Sequence, residues 1–122
     1  EVIVAGGVVR PADQAITGEA TVDFIKQFKV DIGLIGISGI EADGTLRDFD
    51  YREVRVARTI IEQSRQIWLA SDHSKFQRNA MVKLADISEI DTVFTDRPPP
   101  QNIQNLMTQH GVNCVIASAA NP

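Results

Sequence analysis

The chain has 122 residues, 43% of them apolar and 23% charged, which suits one ordinary globular domain with a real core and excludes a disordered polypeptide. No apolar run reaches the length of a membrane span, no signal peptide is recognisable, and the single cysteine, Cys114, excludes an internal disulfide; the expected setting is a reducing compartment, the cytoplasm. A net charge of −4 offers little attraction to nucleic acid, so any DNA binding must come from another segment.

Val2 to Ala5 is a short apolar run stopped by Gly6 and Gly7, the pattern of a buried strand ending in a turn. Glu1 leads into it without a methionine, a turn or a cap, and the expectation is a fragment of a longer protein. Beyond Pro11, Ala20, Phe24 and Phe28 fall four apart with Ile25 alongside, which predicts a helix from Thr17, its N-cap, to Phe28. "DIGLIGISG", from Asp31, is nearly continuous in apolar residues, as strands covered on both faces are. In the stretch that follows, Asp43-Gly44 is the strongest turn signal.

Val54, Ala57, Ile60 and Ile61 predict a helix over 51–65, with Arg52, Arg55, Arg58 and Arg65 mostly off its apolar stripe. Ile67 to Ala70 is the next strand, and residues 74–90 carry only a weak helical signal. "DTVFTD", 91–96, is another strand, followed by Arg97 and three prolines that forbid regular structure. Ile103, Leu106, Met107 and His110 mark a helix closed by Gly111, and 113–117 forms a last strand. This alternation predicts an α/β layered fold with a mostly parallel sheet, in which ligands sit beyond the carboxyl ends of the strands.

Three segments follow strand ends: Gly6-Gly7, the 36–50 loop and "SDHSKF" at 71–76. The last offers a carboxylate, an imidazole, a hydroxyl and an ammonium within four residues, a set suited to a phosphate or to substrate hydroxyls. The same residues also make an ordinary turn in which Asp72 caps a short helix starting near Ser74. "GISGIEADG" lacks both the lysine-serine ending of a phosphate loop and the GxGxxG spacing. Its Gly36 and Gly39 allow either close approach to a ligand or tight strand packing.

Asp50, Glu53 and Arg55 flank the start of the second helix, where backbone amides favour anions and acidic residues are common in any case. His110 reads as a partly buried packing residue. His73 has no second histidine or cysteine at ligand spacing, which argues against zinc, and burial in an apolar strand would make Cys114 inert. No serine stands beside a credible base. No metal or other cofactor is expected.

Taken together, "VAGGVVRPADQAITGEATVDFIKQFKV", "GISGI", "DFDYREVR", "DHSKFQRNAMV" and "DTVFTDRPPP" closely resemble the effector-sensing half of DeoR-family transcriptional repressors, from about Val2 through the 101–117 region. The resemblance implies a fold similar to ribose-5-phosphate isomerase, present in residues 1–122 as a partial effector-sensing domain. It also implies an N-terminal winged helix-turn-helix, absent from this chain, that binds operator DNA, and a homo-oligomeric protein without membrane association. The implied effector is a phosphorylated polyol or sugar, glycerol 3-phosphate in the first instance, with a glycine- and threonine-rich loop preceding this segment to cradle its phosphate.

The resemblance further implies that Asp72 and Lys75 contact the effector, with Ser38, Gly39 and Glu53 lining the same cleft. In the isomerases a motif like Asp72-x-Ser74-Lys75 supplies a ligand-binding lysine, while the glutamate base falls near Ala57 and strand-end aspartates fall near Ser38. Without those carboxylates the implied role is to bind and not to transfer a proton. The alternatives are a phosphosugar isomerase or lyase of the same fold and a domain that mainly mediates oligomerisation.

Overall fold

The computed structural model describes residues 1–117. Its first elements are β1 (Val8–Val9), β2 (Ile16–Thr17), α1 (Glu19–Ile25) and β3 (Val30–Ile35), followed by β4 (Gly39–Ile40), β5 (Thr45–Asp48) and α2 (Tyr51–Glu62). The second half contributes β6 (Ser64–Ala70), β7 (Val82–Asp86), β8 (Thr92–Thr95), α3 (Gln101–His110) and β9 (Asn113–Ile116), with single 3-10 turns at His73–Lys75 and Ile87–Glu89. Local chemistry explains several boundaries. Asp50 caps α2 by accepting from the Arg52 N–H at 2.8 Å. The three prolines precede α3, and Gly111 ends it in the left-handed region, φ 69°. Between β4 and β5 the Asp43 carboxylate accepts from the Thr45 N–H at 2.9 Å, and Gly44 takes φ 89°, which forms the expected turn.

The strands make a four-stranded, fully parallel sheet in the order β3-β6-β8-β9, an antiparallel sheet in the order β4-β5-β7 and a small β1-β2 hairpin. One hydrophobic core joins the two larger sheets. Ile35, Leu69 and Val93 from the parallel sheet meet Ile40, Leu46 and Leu84 from the antiparallel one, with Val54 and Ile61 of α2 and Ile103 and Met107 of α3. Ile40, Leu46, Leu69 and Val93 are fully buried, each such side chain contributing about 1.5–3 kcal/mol by leaving water. The fold is therefore α/β and layered, with its larger sheet parallel, as expected. Among the described residues no helix is long and apolar enough to cross a membrane.

Several expectations are corrected. Residues 1–6 form no strand, and Val2, Ile3 and Val4 are exposed, because no neighbouring strand pairs with them among the described residues. The N-cap of α1 is Gly18, at φ 109° and without a side-chain bond, while Thr17 is buried in β2. Phe28 lies beyond the helix, although its ring still packs on Phe24 at 5.1 Å between centroids. β3 is not covered on both faces: it is an edge strand on which Ile32 and Leu34 are 44% and 61% exposed, so its apolar run lacks the second layer the pattern implied. α2 stops at Glu62 because Ser64 already enters β6, and 74–90 holds β7 in place of a helix. His110 and Cys114 are both exposed, the latter because β9 is the other edge of the sheet; partial burial still pushes the Cys114 thiol up.

Candidate functional site

Because β3, β6, β8 and β9 run parallel, their carboxyl ends share one edge of the sheet. The β6–β8 pairing continues one residue past Ala70, where buried Ser71 donates its N–H to the Phe94 carbonyl at 2.9 Å. That register brings the loop after β6 beside Asp96, the residue after β8. There the main-chain N–H of His73 donates to Asp96 Oδ1 at 2.7 Å, and the ring Nδ1 lies 2.7 Å from Oδ2. These contacts hold the Asp96 carboxyl below the usual carboxylate range, the bond with the His73 ring contributing most.

Within the loop, Asp72 caps the 3-10 turn His73–Lys75 by accepting from the Ser74 N–H at 2.8 Å and from the Ser74 hydroxyl. The Ser74 hydroxyl is the first cause of a lowered Asp72 pKa. Lys75 Nζ lies 3.9 Å from Asp72 Oδ2. The capping turn expected as the ordinary role of Asp72 is thus present. It also fixes which carboxylate oxygen faces outward toward Lys75.

The 36–40 segment is tied to this loop by its backbone. Ile40 bridges Phe76, and the Gln77 N–H donates to the Ile40 carbonyl at 2.7 Å. The two open readings of the glycines divide between them. A Cβ at Gly39 would stand 2.3 Å from the Arg78 carbonyl oxygen, so Gly39 is a packing glycine that lets the two loops touch. Gly36 faces open space and lines a cavity of about 200 Å³ with Asp48, Glu53, Val54 and Ala57. Ser38 stands at its margin, donating its hydroxyl to the buried Asp48 carboxylate at 2.8 Å, where the Phe49 N–H also donates at 2.7 Å.

Glu53 is held in place by a residue 43 positions earlier in the chain. The Arg10 guanidinium donates to Glu53 at 2.8 Å, to Asp50 at 2.7 Å and to Asp13 at 2.9 and 2.5 Å. The pairing raises Arg10 above its ordinary value and lowers Asp13 to about 2, with Arg10 as the first cause. Asp50 is also lowered, first by its capping bond from Arg52. Carboxyls lowered on folding contribute stability that is present above their unfolded pKa and lost as pH falls through the folded one. Acid titration of the folded protein is therefore expected to show loss of stability between about pH 4 and pH 2, and Arg10→Met is expected to flatten that part of the profile, as followed by circular dichroism.

The structure thus brings Asp72 and Lys75 together, places Gly36 and Glu53 on the wall of a cavity that Ser38 reaches through its bond to Asp48 and that no residue of 71–78 lines, and buries Gly39 between the two loops. Gly6 and Gly7 lie elsewhere, against Thr17 and Thr21. Three residues escape the sequence reading. Asp96 has a usable signal, since it too follows a strand end. Asp48 and Arg10 have none: Arg10 acts 40 and 43 residues away, and Asp48 reaches Ser38, beside which the isomerase aspartates would fall, from 10 residues along the chain.

A family model described as the DeoR C-terminal sensor domain matches residues 1–97. The glycerol-3-phosphate regulon repressor of Escherichia coli (strain K12) is 54% identical over 111 residues, 91% of this chain and 44% of that protein. The repressor of the same name from Haemophilus influenzae is 47% identical over 118 residues, 97% of this chain and 46% of its own length. The HTH-type transcriptional repressor CsqR of Escherichia coli is 29% identical over 116 residues, 95% of this chain and 44% of that protein. The chain spans under half the length of these relatives, which are transcriptional repressors by name. With the family model covering most of the chain, the chain belongs to the DeoR C-terminal sensor domain family.

Proposed function

We propose that this chain is the effector-sensing part of a transcriptional repressor, and that it binds a phosphorylated polyol or sugar, glycerol 3-phosphate in the first instance, to control operator binding through a DNA-binding domain elsewhere in the protein. The observation that carries the reading is the polar loop Asp72–Lys75 at the carboxyl edge of a parallel sheet, where α/β folds hold their ligands. The names of the relatives supply the effector class. Asp72 and Lys75 contact the ligand, Glu53 lines the cavity beside Gly36 with Ser38 bonded to Asp48 on its wall, and Gly39 keeps the two loops in contact. The response of the DNA-binding domain is bounded by the difference in effector affinity between its two states, in a protein that assembles as a homo-oligomer.

The enzyme reading needs a free base. Two carboxylates, Asp48 and Glu53, do line the cavity with Ala57, but Asp48 accepts from Ser38 and Phe49 and Glu53 from Arg10. Groups so engaged suit binding better than proton abstraction. Titration calorimetry of the full-length protein with glycerol 3-phosphate tests the proposal. Binding is expected, with Lys75→Met weakening it about tenfold or more, the loss of a charge-assisted hydrogen bond. Turnover of a sugar phosphate, or no binding of any phosphorylated polyol or sugar, would overturn it.

A further inference from the structure

The proposed effector site leaves out two side chains that the fold places beside it, His73 and Asp96, and the inference rests on that site. One of the two bonds from His73, the main-chain N–H to Asp96 at 2.7 Å, suffices to hold the loop against the end of β8. The second, at 2.7 Å from the ring Nδ1, fixes the imidazole. Asp96 stays ionised at neutral pH, since its carboxyl is held below the usual range, and an ionised carboxylate can only accept. The facing Nδ1 therefore carries the proton, and in the neutral form of the ring the lone pair is the one on Nε2. Among the described residues Nε2 has no hydrogen-bond partner, and the His73 side chain is 45% exposed.

The charges around that ring decide which part of an effector it can meet. The bonded side chains supply two carboxylates, Asp72 and Asp96, and one ammonium, Lys75. Asp96 itself opposes ionisation of Asp72. Arg97, next along the chain, forms no ion pair with them among the described residues. Among the three bonded side chains negative charge outnumbers positive by one, which disfavours a phosphate dianion between them, whereas hydroxyl groups meet several acceptors and one donor.

We propose that this loop reads the hydroxyl-bearing end of the effector, with His73 Nε2 accepting from an effector hydroxyl and Asp96 acting as the positioning residue that keeps the lone pair on Nε2. The phosphate is bound elsewhere. The test compares glycerol 3-phosphate with propyl phosphate, which has the same carbon count and phosphate but no free hydroxyls on its chain, by calorimetry on the full-length protein. His73→Phe is expected to weaken glycerol 3-phosphate about tenfold, the loss of one good hydrogen bond, and to leave propyl phosphate unchanged.

Asp96→Asn keeps the shape but lets an amide donate to the ring. It is expected to give the same selective loss and to replace the Nδ1–H tautomer of His73 by the Nε2–H one in nitrogen-15 spectra, a change a merely structural clamp would not produce. Equal weakening of both ligands by His73→Phe, or no weakening of either, would overturn this proposal alone. Failure of the wild-type protein to bind glycerol 3-phosphate or any other phosphorylated polyol or sugar would overturn the effector reading, and this proposal with it.

Discussion

Gly39→Val is expected to destabilise the protein by about 1–3 kcal/mol, the usual cost of overpacking, and to weaken effector binding by about an order of magnitude, the loss of one or two ligand hydrogen bonds. The reason is local. A Cβ at residue 39 would come within 2.3 Å of the Arg78 carbonyl oxygen, a backbone atom that cannot rotate away. To make room, the 76–78 segment must retreat and strain the Gln77–Ile40 hydrogen bond and the Ile40–Phe76 bridge. Lys75 sits directly before that segment, so the loop that carries it loses its registration against the 36–40 segment. Chemical denaturation and effector calorimetry, run on the same preparation, check both halves. A variant with wild-type affinity would show that the contact between the loops does not position the site.

Leu69→Ala is expected to cost about 2–5 kcal/mol, the range for removing a fully buried leucine. Leu69 is 0% exposed in the centre of the parallel sheet, opposite Ile35 on β3 and Val93 on β8. Those neighbours are held by their own strands, so the space left by the side chain does not close easily. Against a typical total stability of about 5–15 kcal/mol, the loss is large enough to move a denaturant midpoint well clear of error with an unchanged slope. A shift equivalent to less than about 1 kcal/mol would mean that the core around β6 is far more adaptable than its burial indicates.

The candidate site is partly legible in the sequence. "SDHSKF" stands out because four polar side chains follow directly on the apolar run 67–70, and the fold keeps them together at a strand end. The string does not say how they are used. Asp72 is both a cap and a neighbour of Lys75, and only the β6–β8 register shows that His73 reaches Asp96, 23 residues away. The division between Gly36 and Gly39 is equally hidden, since it depends on where the Arg78 carbonyl lies.

Composition and periodicity determined the class of fold by themselves, because alternating strand and helix patterns over a single apolar core admit few layered arrangements. Turn and cap chemistry, at Asp43-Gly44, Asp50 and Gly111, was set equally locally. The tertiary structure alone decided which strands are edges, and therefore why Ile32, Leu34 and Cys114 are exposed although their strands read as buried. It also decided that Arg10 clamps Asp50 and Glu53 and that Ser38 pairs with Asp48. Pairings of that kind depend on where the chain returns in space, and no local spacing of residues encodes that.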